Sequence, residues 1–268
     1  MKIACHTWAF NDLTLPEALG TIARMGFRYV DIGSGAHINA QRAATDPRKE
    51  ASEIRADLEA FNLDISDLYL MLPRISLADE ERRRKEIDLY KALIPFAQAL
   101  GTPGITLSPG LAHPAEDTTA YERTRDALRE MVDWGKQAGL RISIEPHMDS
   151  MAQKPDITQQ LLKDVEGLAL TLDWGALVCQ NVAHDEIVKL LPKARHVQIR
   201  QAARAQLQTP FERGRIDMPK VVEALRDYNG VVCVKYMKVP GPHGLLEVNT
   251  VRESVRLRDV LRATAQPA

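Results

Sequence analysis

The chain has 268 residues, 45% apolar and 26% charged, which are the proportions of a globular protein and exclude a fibrous or disordered one. Its formal net charge of −1 supplies no field that would gather nucleic acid or an anionic membrane. No apolar run is long enough to span a bilayer, and the start lacks the basic and apolar regions of a signal peptide.

Lys2 to His6 reads as a first strand. Thr14-Leu15-Pro16-Glu17 joins a capping box to an early proline, which predicts a helix start. Leu15, Leu19 and Ile22 give that helix its apolar stripe, and Gly26 ends it. Tyr29 to Gly33 is the second strand. A helix over 47–61 follows, with Ile54, Leu58 and Phe61 on one side, and then a third strand over 63–70. The pattern next predicts a helix over 78–100. It carries the mixed charge run Glu80-Glu81-Arg82-Arg83-Arg84-Lys85-Glu86, which suits a solvated face. Pro95 predicts a kink or a break in it.

A fourth strand, Gly104 to Ser108, and a helix over 117–138 lead to the fifth strand, Arg141 to Glu145. Helices over 157–165 and 185–191 flank the sixth, Leu168 to Asp173. The seventh is His196 to Arg200. Asp217 caps a helix over 219–227, the eighth strand is Val231 to Lys235, and a helix over 251–261 closes the chain.

Eight alternating strand–helix units with no linker imply a parallel sheet. Their number and total length fit one (β/α)8 TIM barrel domain over 1–268, usually about 250 residues long. The runner-up is an open doubly wound sheet, but no glycine-rich dinucleotide fingerprint follows the first strand. Cys5, Cys179 and Cys233 are odd in number and lack metal-site spacing, so a reduced, cytoplasmic protein is expected.

Strand side chains alternate between two faces. Ile142 and Ile144 therefore share one face, and Ser143 and Glu145 the other. His196, Gln198 and Arg200 likewise share a face, and so do Thr106 and Ser108. Active sites in such barrels lie at the C-terminal strand ends, where His6, Glu145, Asp173, Gln198, Arg200 and Lys235 fall. The plain alternative is a wet mouth of salt bridges without chemistry, which the cost of burying isolated polar groups argues against.

Ile144-Glu145-Pro146-His147, Leu172-Asp173, His196 through Ala202, Phe211 through Asp217 and the opening His6-Thr7-Trp8-Ala9-Phe10 resemble the xylose isomerase-like TIM barrel family, the sugar phosphate isomerase/epimerase superfamily. The resemblance covers nearly the whole chain. It implies one divalent ion, Mn or Mg, held by four side chains that are usually Glu, Asp, His and Glu. Glu145 and Asp173 stand at the first two positions and Gln198 at the third, as in hydroxypyruvate isomerase-like members. Lys235 stands at the fourth, and Ala176 replaces the histidine of the family's Asp-x-x-His pattern.

An ammonium cannot ligate a metal while it is protonated. A divalent ion about 4 Å away is repelled by about 8 kcal/mol at an effective dielectric of about 20. The expectation is therefore that no cofactor is favoured and that Lys235 replaces the ion as an internal cation, held by Glu145 and Asp173.

The resemblance implies an isomerase, epimerase or dehydratase. Its substrate would be a small sugar, polyol or hydroxy-keto acid, with proton abstraction and a stabilised enediolate. Lys235 would polarise the carbonyl, or form a Schiff base, which its flanking carboxylates disfavour. Glu145 or His147 would be the base, unless His147 is a loop histidine bonded to backbone. His6, Trp8, Arg200 and Trp174 are the candidate substrate-binding residues. Arg200 meets an anionic group or makes a plain salt bridge. Trp8, Tyr69 and Trp174 are walls for a sugar ring or ordinary packing. Arg213 and Arg215 bind an anion or are solvated, and Gly241-Pro242-His243-Gly244 is a lid or a turn.

Two rival readings remain open. One is a divergent member that binds a small molecule or a protein without turnover. The other is an abasic-site endonuclease, whose histidine set and basic surface this chain lacks. A homo-oligomer is also left open.

Overall fold

A computed structural model describes residues 1–238 and 241–263. Eight parallel strands close into a barrel in sequence order. They are β1 (Lys2–His6), β2 (Tyr29–Gly33), β3 (Asp64–Leu70), β4 (Gly104–Leu107), β5 (Arg141–Ile144), β6 (Ala169–Asp173), β7 (Ala194–Ile199) and β8 (Val231–Val234). Pairing of β1 with β8 completes the ring, so no edge is left open. The barrel, rather than the open sheet, is the architecture. No helix among the described residues is long and apolar enough to cross a membrane.

The connecting helices are α1 (Leu15–Arg24), α2 (Ala40–Thr45), α3 (Pro47–Ala60), α4 (Glu80–Leu100), α5 (Ala120–Gln137), α6 (Pro155–Asp164), α7 (Trp174–Cys179), α8 (His184–Val188), α9 (Met218–Ala224) and α10 (Thr250–Ala263). α1 starts as its capping box dictates: Thr14 N donates to Glu17 Oε2 at 2.9 Å. Gly26 follows it at φ +82°, a conformation in which a Cβ would be strained.

Two helices were not foreseen. α2 is short and starts at Asn39, whose Oδ1 accepts from Arg42 N at 3.0 Å. α7 springs directly from β6, with Asp173 as its N-cap. The expected break at Pro95 is absent, and α4 runs through it. Pro95 and Lys91, whose carbonyl loses its helical donor, are both on the exposed side. Leu93, Ile94, Phe96 and Ala97 are buried around that turn and hold it.

A barrel of this kind is ordinarily filled by layers of bulky branched residues. Here the middle layer is polar. Side chains from strands that are not neighbours meet inside: His196 Nε2 of β7 lies 2.6 Å from Asp31 Oδ2 of β2, and Thr106 of β4 lies 2.7 Å from Thr171 of β6. Arg195 donates to Asp67 Oδ1 at 2.6 Å and to Ser143 at 2.8 Å. Thr106 donates to the second Asp67 oxygen, and Ser66 to Asp31 Oδ1 at 2.6 Å. Cys5, Cys179 and Cys233 are free and buried.

Candidate functional site

Glu145 and Lys235 are the first residues beyond β5 and β8, Asp173 ends β6 and Gln198 lies inside β7. Backbone pairing continues through the first two. Glu145 N donates to Leu107 O, and Lys235 N to Ile199 O, each at 2.9 Å. That pairing fixes where the two side chains leave the barrel.

The Lys235 ammonium lies 2.7 Å from both Glu145 oxygens, 2.7 Å from Gln198 Oε1 and 3.4 Å from Asp173 Oδ2. Its three protons are therefore all directed at protein oxygens. The rings of Trp8 and Tyr69 stand 5.3 Å and 4.9 Å from Nζ, near enough for their π-faces to favour the charge. The side chain is only 3% exposed.

Asp173 does three jobs. Its Oδ1 accepts from Ala176 N at 3.0 Å, and its Oδ2 accepts from Arg200 Nη1 at 2.9 Å as well as facing Lys235. Arg200 also donates to the carbonyls of Leu207, at 2.9 Å, and Lys235, at 3.2 Å. Arg200 thus makes a buried salt bridge and borders the mouth at the same time.

Electrostatics separates the two carboxylates. Burial opposes ionisation of both. At Asp173 the charges of Arg200 and Lys235 overcome it and hold the carboxyl well below its usual range. At Glu145 burial prevails over Lys235, and the Asp173 charge adds to it, so this carboxyl is raised. Burial pushes the His6 imidazole down to about 3, so it is neutral. His6 Nδ1 accepts from Trp8 N at 3.1 Å, which places the proton on Nε2. That Nε2 and Gln198 Nε2 are buried donors without a partner among the described residues. Tyr69 is pushed well above its ordinary value by burial and then by Glu145.

A cavity of about 200 Å³ opens above the cluster, with Trp8, Tyr69, Glu145, His147, Arg200 and Lys235 in its wall. His147 Nδ1 lies 2.7 Å from Met148 O, which can only accept, so Nε2 is left to accept from Ser108 Oγ at 2.9 Å. His147 therefore combines the two alternatives, a backbone bond and a position in the mouth. His243 Nε2 lies 2.6 Å from Asp149 Oδ2 and ties the 241–244 loop to the loop after β5 across the opening.

Of the expected residues, the fold brings together His6, Trp8, Glu145, His147, Asp173, Gln198, Arg200 and Lys235. It does not bring in Trp174, which is buried in the core with its ring 5.6 Å from that of His184. Trp174 is the first residue of α7, and its side chain is buried in the main core. Arg213 and Arg215 also miss the cavity wall. Their segment is drawn toward α10 by Glu253, which accepts from Phe211 N at 2.9 Å. His196 lies one layer below the mouth, on Asp31. Met71, Met148 and Met237 of the wall were not foreseen, since an isolated methionine in a loop carries no periodic signal.

The donors do not fit a divalent ion. The ammonium occupies the point 2.7 Å from three oxygens where an ion would sit, and a charged Lys235 repels one strongly. Asp31, His196 and Cys233 form a second possible set, with donor atoms within 4.8 Å of one another. There the imidazole is already bonded to the carboxylate, and burial pushes the Cys233 thiol far up, away from the thiolate a metal takes.

Residues 19–259 match the model of one protein family, described as xylose isomerase-like TIM barrel. No curated protein is significantly similar in sequence. Among solved structures, the chain resembles a D-psicose 3-epimerase determined with D-fructose, at 14% identity and a TM-score of 0.80, covering 99% of both chains. It resembles the D-psicose 3-epimerase of Clostridium cellulolyticum H10 with D-tagatose, at 17% identity and a TM-score of 0.78 over 100% of both. A xylose isomerase-like TIM barrel protein from Mycobacterium smegmatis in complex with magnesium matches at 19% identity and a TM-score of 0.71, covering 99% of this chain and 98% of that one. At such identities the likeness is one of fold.

Proposed function

The chain belongs to the xylose isomerase-like TIM barrel family, and from that premise we propose that it is an isomerase- or epimerase-like enzyme whose Lys235 ammonium takes the place of the family's divalent ion. The substrate class is a small sugar, polyol or hydroxy-keto acid. The carrying observation is the seat of Lys235: one cation among Glu145, Gln198 and Asp173, on the wall of a small cavity at the barrel mouth.

A substrate carbonyl oxygen approaching Nζ displaces one oxygen of Glu145. The freed carboxylate is buried and raised, which makes it a stronger base than a solvated one. The α-C–H bond breaks, its proton goes to Glu145, and the electron pair moves onto the carbonyl oxygen as an enediolate facing Lys235. Return of the proton to the former carbonyl carbon, with the hydroxyl proton passing from the adjacent oxygen to the enediolate oxygen, gives the aldose–ketose isomer. Delivery of a proton from solvent to the opposite face, with Glu145 releasing to solvent the one it took, gives the epimer. Arg200 is a positioning residue: it fixes Asp173 and holds the Lys235 carbonyl. A Schiff base at Lys235 is disfavoured by two flanking carboxylates.

The test is solvent deuterium exchange into a panel of sugars and keto acids, with Lys235→Met as control. Exchange lost in the variant supports the reading. One observation favours a rival, a binder without turnover: every Lys235 proton already has a protein acceptor. Saturable binding without exchange would decide for it.

A further inference from the structure

The mouth is small for a ligand site. Sites for organic ligands usually enclose about 300–1,000 Å³, and this one encloses about 200 Å³. Beside it runs a second cavity of about 680 Å³, bounded by the loops after β1, β2 and β3 and by α2. Trp8 and Met71 belong to the walls of both. Trp8 is held between them, its Nε1 donating to Ser34 O at 3.1 Å.

The second cavity combines apolar surface, from Trp8, Met71 and Ile38, with polar groups that have no internal task. The Gln41 amide and the Arg74 guanidinium are exposed and bond to no described residue. Asn39 caps α2 through its oxygen, which leaves its amide nitrogen to donate. Asn11 Oδ1 is a buried acceptor without a partner. Amides and a guanidinium around an indole and a thioether suit a ring with an apolar C–H face and several hydroxyls, and offer nothing to a purely apolar group. Met71 is 39% exposed and stands in the wall shared by the two cavities.

We propose that the natural substrate has two parts: a keto sugar unit that enters the mouth at Lys235, and a glycosidically attached, hydroxylated second ring that lies in the groove of Asn39, Gln41, Met71 and Arg74. The inference rests on the reading of the mouth as a keto sugar site. It restricts that reading to glycosyl-ketoses over free ketoses.

The experiment compares D-fructose with isomaltulose and lactulose, two glucosyl- or galactosyl-fructoses, by isothermal titration and by solvent deuterium exchange. The expected result is at least ten-fold tighter binding of one glycosyl-ketose than of D-fructose. Gln41→Trp, which fills the groove from the exposed side of α2, reduces that preference to under two-fold, and Arg74→Ala lowers it. Exchange into D-fructose with no preference for either disaccharide overturns the inference and leaves the proposed reaction standing. So does a preference that Gln41→Trp does not change. A glycosyl preference in binding with no exchange into any ketose overturns the reaction and keeps the two-part site. Absence of both overturns both.

Discussion

Two carboxylate–cation clusters lie one above the other in this barrel, and they differ in what is left unsatisfied. In the lower one each carboxylate oxygen has its own donor: Ser66 and His196 on Asp31, Arg195 and Thr106 on Asp67. The Arg195 side chain there is 5% exposed and Asp67 is not exposed at all. The upper one, around Lys235, borders a cavity, raises Glu145, lowers Asp173 and leaves His6 Nε2 and Gln198 Nε2 without partners. The lower layer also holds one lowered and one raised carboxyl, Asp31 and Asp67, and leaves Arg195 Nε without a partner among the described residues. What sets the upper cluster apart is that its spare donors and its raised carboxyl stand beside a cavity that a small molecule can enter.

The widest gap between the two clusters should appear when each loses its cation. Arg195→Met removes the cation from the wholly buried Asp67, and breaking such a buried pair costs about 3–5 kcal/mol. Lys235→Met should cost less, because the cavity above the upper carboxylates gives water room to reach them once the ammonium is gone. Urea unfolding of both variants checks this. Equal losses would show that the clusters are the same kind of object.

Turnover should invert the order. Lys235→Met removes the group facing the enediolate oxygen and should slow deuterium exchange by about 10²–10³-fold, the usual effect of losing such a donor. Lys235→Arg should not restore it, since a planar fork cannot point at three converging oxygens. An exchange rate kept within ten-fold in Lys235→Met would remove the upper cluster from the chemistry.

The third effect is one of pH. Unfolded imidazole takes a proton near about 6.5, whereas folded His6 resists until about 3. The unfolded state binds more protons between those values, so stability falls as pH falls through that window, by about 1.4 kcal/mol per pH unit. Between about pH 6.5 and 4.5 that amounts to about 2.3 kcal/mol, since the unfolded imidazole is only half protonated at the upper end. The raised Glu145 carboxyl works against the slope, because it takes its proton more readily folded than unfolded. Asp173, lowered, adds to the slope only below its unfolded value, near about 3.9. Denaturation of His6→Asn at both pH values should give a flatter dependence. An unchanged slope would place His6 in contact with solvent.

Most of the barrel is legible in the sequence because two signals act together. Alternation marks each strand, and caps such as Thr14-Glu17 and Asp217 mark helix starts. α7 escaped because Asp173 reads as a site residue and is also an N-cap, so one side chain serves both ends of the argument. The upper cluster was legible because Glu145, Asp173, Gln198 and Lys235 all stand at or next to the C-terminal ends of their strands. The lower cluster was not. Asp31, Asp67 and Arg195 lie on strands far apart in sequence, and only closure of the ring brings them together. Trp174 shows the same limit from the other side: its residue type suits a sugar wall, but its place on α7 points it into the core.

The smallest expected effect is the most discriminating. If Lys235 is the cation of the upper cluster, EDTA should shift the melting temperature by less than about 1 °C, because a ligand that the folded state does not bind adds nothing to its stability. Elemental analysis should find less than one tightly held Mn, Mg, Zn or Co per chain. Removing the ammonium while restoring an acid tests the same point from the opposite side. Lys235→Glu returns the fourth position to the family's usual carboxylate, beside Glu145, Asp173 and Gln198. Three converging carboxylates without a cation repel one another, so this variant should be unstable alone and regain stability with added Mn²⁺ in a manner that EDTA reverses. A wild-type chain that melts several degrees lower in EDTA would mean that an ion competes successfully with Lys235, and the two clusters would then differ by a metal rather than by an open wall.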